Sequence, residues 1–206
     1  MSTLSLTLLI VIATSIISYR AFQSPSLMAK YMFIPFEVKN YKAYYRIISH
    51  GFLHGDLMHL IFNMFSLYSF GELLEQALGI MRSPVQGYIL YSIIYFGGIA
   101  VATHPAMIKH HNNPTYRSLG ASGGVSSVLM ATMMLFPESE IGFFFFIPMK
   151  AYIAIPVFFL IEHWMQRSGK TGIAHDAHIG GAAFGLLSMI AIEPNVVAHL
   201  IEVIRS

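Results

Sequence analysis

The stretch Ser118-Leu119-Gly120-Ala121-Ser122-Gly123-Gly124-Val125 opens an apolar segment that runs to Phe136 without a charged residue. A serine flanked by three glycines at the mouth of a membrane-length helix is an unusual choice for packing alone. Glycine lets another backbone come close, and the first turn of a helix offers N–H groups that have no intrahelical partner. Both features suit a serine that attacks a carbonyl group and then stabilises an oxyanion.

Composition places the chain in the class of polytopic membrane proteins. Of its 206 residues, 55% are hydrophobic and 11% are charged, whereas soluble domains have about 25% charged residues. The length suits a single domain. Cysteine is absent, which excludes a cysteine protease, an iron–sulfur cluster and c-type haem attachment. No basic run indicates a nucleic-acid partner.

Apolar segments of about membrane length predict an all-α bundle of six transmembrane helices. The predicted spans cover residues 3–19, 57–76, 85–103, 119–136, 149–165 and 177–192. Pro148, Lys150 and Pro156 interrupt the fifth region, so one longer, kinked helix is an alternative there. We expect residues 143–147 to be interfacial. The first segment is interpreted as a retained span rather than a signal peptide, because no clear cleavage motif follows it.

Two segments are predicted to lie at the membrane surface. Residues 21–55 mix tyrosines and phenylalanines with lysines and arginines, which is typical of an interfacial loop. Residues 196–206 repeat apolar side chains at helical spacing opposite polar ones, which predicts an amphipathic tail.

Polar residues recur near the starts of the second, fourth and sixth predicted spans. Alternate spans cross a membrane in the same direction, so His59, Ser122 and His178 should lie at one face of the bilayer. Polar groups inside membrane helices are costly and usually face a partner or a water-filled cavity. The span count alone therefore predicts one polar site built from three helices.

Ser122 needs a base within hydrogen-bond reach if it is to act as a nucleophile. His178 is the best candidate, because a neutral imidazole can accept the serine proton and pass it to a leaving amine. Asp176 lies two residues before His178, and residues two apart on a helix point away from each other. Finding no other well-placed acid, we predict a Ser–His dyad.

The second and sixth spans supply the supporting groups. His59 and Asn63 are four residues apart and share a helix face, so their N–H groups can converge on an oxyanion with the Ser122 N–H. Gly181 and Gly185 form a G-x-x-x-G pair, which lets two helix backbones approach closely. If these glycines pack against Gly123 and Gly124, His178 comes within reach of Ser122.

The chain resembles the rhomboid family of intramembrane serine proteases. The resemblance rests on three motifs in order on alternate spans: His59-Leu60-Ile61-Phe62-Asn63, Gly120-Ala121-Ser122-Gly123, and Ala177-His178-Ile179-Gly180-Gly181 with Gly185. Weaker matches are Tyr45-Arg46, similar to an aromatic–arginine pair of the first loop, and His50 and His54 before the second span. Glu75 resembles a glutamate that braces helix packing.

The resemblance implies an intramembrane endopeptidase that cleaves transmembrane helices of other membrane proteins. Ser122 would be the nucleophile and His178 the base; His59, Asn63 and the Ser122 N–H would form the oxyanion hole. Structural support would come from Gly120, Gly123, Gly181, Gly185 and Glu75. The loop 166–176 would act as a lid, and substrates would enter near the fifth span. Many members carry a tyrosine four residues after the serine, where this chain has Ser126.

The expected partners are transmembrane substrates and the lipid bilayer, with no cofactor and no metal. We expect an integral protein of a bacterial inner membrane, with the site opening through a water-filled cavity to the outer face. Nine of the 12 Lys and Arg residues would then lie on the outer side, which conflicts with the positive-inside rule.

Two other functions compete with the protease. A non-catalytic rhomboid-like protein that binds and escorts membrane helices is the first, although such a protein would be expected to have lost Ser122 or His178. A histidine-liganded metal or haem protein is the second, with candidate ligands His50, His54, His59, His163, His175 and His178. Against it, H-E-x-x-H is absent and we find no carboxylate in register with the intramembrane histidines.

Overall fold

Helices make up most of residues 5–143, 147–168 and 174–206, the part of the chain that the computed structural model describes. The helices are α1 (Leu6–Phe22), α2 (Pro25–Tyr31), α3 (Pro35–Tyr41), α4 (Arg46–Ser49), α5 (Leu57–Met81), α6 (Pro84–Ala102), α7 (His104–His110), α8 (Ser122–Leu135), α9 (Ala151–Ser168), α10 (His175–Ile192) and α11 (Asn195–Arg205). A short 3-10 helix, His50–Phe52, precedes α5, and an antiparallel hairpin of β1 (Glu140–Phe143) and β2 (Ile147–Lys150) precedes α9.

Each of the predicted spans contains a helix, but the helices differ in length and apolarity. Helix α5 (Leu57–Met81) is long and apolar enough to cross a membrane, and so is the helical segment Pro84–His110, which contains α6 and α7. A third candidate arises if α10 and α11, which meet at a bend of 107°, are taken as one span. Helices α1 and α8 are apolar but shorter. The fold is therefore helical with two or three candidate membrane spans in the described part of the chain.

Side-chain caps explain where the long helices begin. Ser5, Asp56 and Ser83 each accept a hydrogen bond from a backbone N–H of the turn that follows. Glu75 of α5 completes the start of α1, because its carboxylate accepts from Leu6 N at 2.9 Å and from Thr7 N and Oγ1 at 2.7 Å. A buried anion at a helix N-terminus is stabilised by the helix dipole, so Glu75 attaches α1 to α5.

Helix α8 lies at the centre of the bundle. From Gly123 to Met134 every residue except Leu129 is buried, and α5, α6, α9 and α10 all pack against it. Its 14 residues span about 21 Å at 1.5 Å per residue. The hydrocarbon core of a bilayer is about 30 Å thick, so α8 is too short to cross it alone.

Glycines bring α8 and α10 into backbone contact. A Cβ atom on Gly181 would overlap the carbonyl oxygen of Gly123, and one on Gly185 would overlap that of Ser127. The two contacts are four residues apart on both helices, so the helices run parallel. Helix α6 packs against α8 in a similar way, since a Cβ on Gly124 would lie 2.8 Å from the carbonyl oxygen of Tyr95.

Several segments predicted as loops have regular structure. Residues 21–55 contain three short helices and the 3-10 helix, and the loop before α8 contains α7. The fifth span was predicted at about Met149 to Met165; Met149 itself pairs with Ile141 in the hairpin. Helix α9 begins only at Ala151 and contains Pro156 beyond its first turn, where the proline removes the N–H that would bond the carbonyl group of Tyr152.

Replacement of Gly185 by alanine should destabilise the bundle by about 1–3 kcal/mol, because the new methyl group overlaps the α8 backbone. Gly180→Ala is the matched control on the same helix: its Cβ would meet its nearest atom at 3.6 Å, which is ordinary contact. Thermal unfolding in detergent, followed by circular dichroism, measures both variants. Equal unfolding temperatures for the two would contradict the close α8–α10 contact.

Candidate active site

Ser122 is the first residue of α8 and follows a turn that only glycine adopts readily. Gly120 has a φ of +129°, in the region where an L side chain is strained. Ala121 precedes the helix without a side-chain cap, so the first N–H groups of α8 have no side-chain acceptor at that position. A helix N-terminus with such groups stabilises negative charge.

The backbone before Ser122 is bonded to the segment between α1 and α5. Phe33 and Ser118 exchange backbone hydrogen bonds of 2.9 and 3.0 Å, and Gly120 N–H donates to the carbonyl oxygen of His50 at 3.1 Å. Ala121 N–H donates to His54 Nε2 at 3.4 Å. The polar backbone groups of this non-helical stretch are thus satisfied by protein atoms.

His54 is held as one neutral tautomer by its two partners. Because Nε2 accepts from Ala121, Nδ1 carries the proton and donates to Ser18 Oγ at 2.9 Å, and Ser18 donates on to the carbonyl oxygen of Phe52 at 2.9 Å. Burial, aided by the nearby His59, lowers the pKa of His54 to about 3, although Asp56 opposes the shift. His54 is therefore uncharged at neutral pH.

Arg46 and His50 fix the same segment from within. Burial lowers the pKa of His50 to about 4 against the opposing effect of backbone hydrogen bonds, and its Nδ1–H donates to the Arg46 carbonyl at 2.9 Å. Arg46 is 5% exposed and pairs with Glu37 at 2.6 Å. Arg46 also donates to the carbonyl oxygens of Ala29 at 3.0 Å and Met32 at 2.7 Å, so it cross-links the loop.

His59 of α5 faces the start of α8, and Asn63 lies one turn further along the same helix. A Cβ atom on Gly120 would lie 3.1 Å from His59 Nε2 and 3.8 Å from Ser122 Oγ, so the imidazole and the hydroxyl flank the same point. Asn63 is 7% exposed and donates one amide hydrogen to the His59 carbonyl at 2.9 Å. An amide nitrogen has two hydrogens, which leaves the second for another acceptor.

His178 lies at the same end of the bundle as Ser122. It precedes Gly181 by about one turn on α10, and Gly181 contacts Gly123, the residue after Ser122. The His178 side chain is 19% exposed, and its ring is close enough to His59 to interact with it electrostatically. Among the described residues, the Ser122 hydroxyl and the His178 ring are not hydrogen-bonded to each other.

Glu162 contacts His178, contrary to our expectation that no acid is well placed. Its Oε1 lies 3.1 Å from His178 Nδ1, and its Oε2 lies 2.7 Å from His175 Nδ1. The prediction failed because we considered only acids close to His178 in sequence, whereas this carboxylate comes from the neighbouring α9. The sequence does contain an indication of this role: Glu162 interrupts an apolar segment, and an ionisable residue in such a segment marks a functional position.

The other candidates around His178 have separate roles. Asp176 pairs with Lys109 of α7 at 2.7 Å. Ser126, at the position where many rhomboid proteins have tyrosine, is buried. His178 is instead flanked by the His175 ring, edge to face at 5.9 Å. The loop 166–176 was expected to act as a lid, but its residues 169–173 lie outside the described part of the chain.

Comparison with known proteins identifies one family. The model of the Rhomboid domain matches residues 41–194. RHOMBOID-like protein 12, mitochondrial, of Arabidopsis thaliana is 26% identical over 184 residues, which cover 84% of this chain and 53% of that protein. Presenilin-associated rhomboid-like protein A, mitochondrial, of Danio rerio is 27% identical over 66% of this chain and 34% of its own length. Rhomboid-like protease 5 of Toxoplasma gondii is 29% identical over 73% of this chain and 16% of its own length.

Two facts follow from these relatives. The chain spans about half or less of the length of the curated relatives described above. Relatives with mitochondrial names also contradict the expected location in a bacterial inner membrane, with a site opening to its outer face. That expectation was wrong because bilayers of similar thickness impose similar apolar segments, so span composition does not identify the membrane.

Acidification should destabilise the fold through His50 and His54. Their pKa values are lowered in the folded protein from 6.5 to about 4 and about 3, so the unfolded chain binds more protons below pH 6.5. The contribution of the two neutral histidines to the free energy of unfolding is therefore fully present above that pH. It falls by up to about 1.4 kcal/mol per pH unit for each histidine as the pH drops towards the pKa values of the folded protein.

The measurement is the unfolding temperature in detergent between pH 7.5 and 4.5. His54→Asn should reduce its dependence on pH, and His199→Asn, at an exposed position of α11, should leave it unchanged. An unaltered pH dependence in His54→Asn would show that His54 is not buried as a neutral group.

Proposed function

The chain belongs to the rhomboid family, and on this basis we propose that it is an intramembrane serine endopeptidase acting on transmembrane helices of other membrane proteins. The observation that carries the proposal is the parallel backbone contact of α8 and α10. It supports the proposal because Ser122, at the N-terminus of α8, and His178, whose Nδ1 faces a carboxylate, lie at the same end of the bundle. A hydroxyl, a base and helix N–H groups together suit acyl transfer.

We propose that six helices cross the membrane: α1, α5, α6, α8, α9 and α10. Large hydrophobic side chains are exposed on the outer five, for example Ile16 on α1, Phe65 on α5, Ile89 on α6, Leu160 on α9 and Leu187 on α10. Exposed apolar surface on this scale suits lipid contact. The enclosed α8 has polypeptide rather than lipid around it, so it need not match the bilayer thickness.

The length of α8 supports a reaction below the membrane surface. If its C-terminus lies at one surface, a helix of about 21 Å begins about 9 Å inside a hydrocarbon core of about 30 Å. Residues 118–121 would complete the distance as irregular backbone, and their bonds to Phe33, His50 and His54 satisfy it there. The scissile bond would accordingly lie near one end of a substrate helix.

In the proposed reaction, Ser122 Oγ attacks the scissile carbonyl carbon and its proton passes to His178 Nε2. The tetrahedral oxyanion is stabilised by the Ser122 N–H, by the second amide hydrogen of Asn63 and by the His59 ring. Collapse breaks the C–N bond, and His178 gives its proton to the leaving amine. A water molecule, activated by His178, then hydrolyses the acyl-enzyme and regenerates the serine.

Glu162 acts in this scheme as a positioning residue. A carboxylate accepts hydrogen bonds only, so its contact with His178 Nδ1 keeps the proton on that atom and leaves Nε2 as the acceptor for Ser122. The same contact stabilises the imidazolium that forms during catalysis. The site is thus proposed to be a serine–histidine pair supported by a carboxylate from α9.

Substrates are proposed to enter beside α9. Its described residues are poorly covered at the C-terminal half, where Leu160 is 68% and Trp164 71% exposed. Glu162 lies between them and joins α9 to α10, so displacement of α9 would open a path to His178.

The mitochondrial names of relatives support a mitochondrial membrane as the location.

The proposal predicts that a fluorophosphonate probe labels the native protein, because only a serine activated by a base reacts readily. Ser122→Ala and His178→Ala should abolish labelling in detergent. Ser126→Ala is the matched control, since it removes a different α8 hydroxyl, which is buried one turn away, and should retain the signal. Fluorescence of the protein band after electrophoresis measures all four.

Labelling of native protein and of Ser126→Ala, without labelling of Ser122→Ala or His178→Ala, would support the proposed protease function. Equal labelling of Ser122→Ala would assign the reactivity to another residue. If folded native protein remains unlabelled in several detergents, the non-catalytic rhomboid-like protein that binds membrane helices becomes the better account.

Replacement of Glu162 by glutamine should slow labelling at least about tenfold, because the amide no longer fixes the His178 tautomer; loss of the corresponding charge in another serine protease costs about 10⁴-fold. Glu162→Asp, which keeps the charge, should recover part of the rate. Glu140→Gln, at an exposed hairpin position that faces Lys150, is the control. Equal rates in Glu162→Gln and native protein, at equal unfolding temperatures, would remove Glu162 from the scheme.

A further inference from the structure

Glu162, His175 and His178 form a cluster whose use extends beyond positioning the base. We propose that these three side chains are a binding site for a divalent transition-metal ion such as Zn²⁺, and that the bound ion inactivates His178. Each side chain offers one ligand atom, and the three atoms lie within 4.8 Å of one another. The inhibitory part of this inference rests on the proposed protease function, whereas the binding part does not.

The present distances are close to those a metal ion requires. The carboxylate oxygens lie 2.7 Å from His175 Nδ1 and 3.1 Å from His178 Nδ1. Zinc binds nitrogen and oxygen at about 2.0–2.2 Å, so tetrahedral ligand atoms are about 3.3 Å apart. Those two distances are shorter than this value, whereas the widest separation among the three ligand atoms, at most 4.8 Å, can be longer. Binding therefore requires side-chain shifts of up to about 1.5 Å, which rotation about side-chain bonds supplies without moving a helix.

The donor set suits zinc or a similar ion. Two imidazoles and one carboxylate are a ligand combination used by zinc enzymes, with a fourth position left for water. His175 is 4% exposed, and the Glu162 and His178 side chains are 14% and 19% exposed, so the cluster is shielded but not sealed. Lys109 holds the neighbouring Asp176 at 2.7 Å, which leaves Glu162 as the anionic ligand.

Binding at Nδ1 reverses the tautomer that catalysis needs. In the metal-free site, His178 carries its proton on Nδ1, towards Glu162, and Nε2 is free to accept from Ser122. A metal ion takes the lone pair of Nδ1, so the ring stays neutral only with its proton on Nε2. That nitrogen then donates and cannot take the serine proton. The carboxylate contact thus favours the tautomer of His178 that is protonated on Nδ1, whereas the metal favours the tautomer that is protonated on Nε2.

Binding is tested on the detergent-purified full chain, treated with chelator and titrated with Co²⁺, whose tetrahedral complexes absorb visible light. We expect one equivalent bound by the native protein, and loss of that absorption in Glu162→Gln and in His175→Gln. Glutamine at position 175 keeps a hydrogen-bond donor for Glu162, so the variant should fold. His163→Ala removes an exposed histidine next to Glu162 and should bind like native protein.

Inhibition is tested by fluorophosphonate labelling of each variant with and without Zn²⁺. At a zinc concentration ten times the dissociation constant, native protein and His163→Ala should label about tenfold more slowly, because one site leaves a free fraction of 1/(1 + [L]/Kd). Chelator should restore the rate. The labelling rate of His175→Gln in zinc, compared with the rate of the same variant without zinc, should change far less.

The two arms separate failure of this inference from failure of the protease proposal. Absence of Co²⁺ binding, or binding unaffected by both Glu162→Gln and His175→Gln, would overturn the metal site whatever the activity. Binding that depends on both residues, together with undiminished labelling in zinc, would keep the site and overturn the inhibition. Metal-dependent absorption without any labelling in metal-free protein would keep the site and count against the protease.

Discussion

The backbone contact between α8 and α10 is the constraint on which the rest of the structure depends. Gly181 and Gly185 leave no room for side chains against Gly123 and Ser127, and in lipid such packing replaces the hydrophobic effect as the force between helices. The contact fixes both distance and direction, because its two points recur at four-residue steps on parallel helices. Ser122 and His178 consequently occupy the same end of the bundle, and any chemistry that joins them depends on glycines that take no part in it.

A second constraint comes from the bilayer. Helix α8 is enclosed and short; if it lies within the bilayer, as proposed, its entry turn needs polar partners that lipid cannot supply. The segment between α1 and α5 provides them through one backbone pair, a carbonyl group and the neutral imidazole of His54. Burial of His50 and His54 keeps them uncharged, which links acid sensitivity of the fold to the position of the serine. The first loop is in this sense part of the site.

Much of this arrangement could be predicted from the sequence, because the constraints leave local traces. Glycine spacing in 177–192 indicated the close helix contact, and polar residues on alternate spans indicated a shared face. Glu162 was missed because its contact with His178 is tertiary: its place in an apolar segment marked it as a functional position, but spacing along the chain does not show how α9 packs against α10. The hairpin before α9 was missed for a similar reason, since the apolar residues 141–149 suit a strand, a helix or a lipid-facing loop equally well.

The most direct test of the central claim is an experimental structure of the full chain in lipid after reaction with a fluorophosphonate. The account predicts a phosphonyl group on Ser122 Oγ, its oxygen within hydrogen-bond distance of the Ser122 N–H and of Asn63 or His59, and His178 between that group and Glu162. An adduct on a different residue, or one on Ser122 with the His178 ring directed away from it, would contradict the claim that the α8–α10 contact builds one reaction centre.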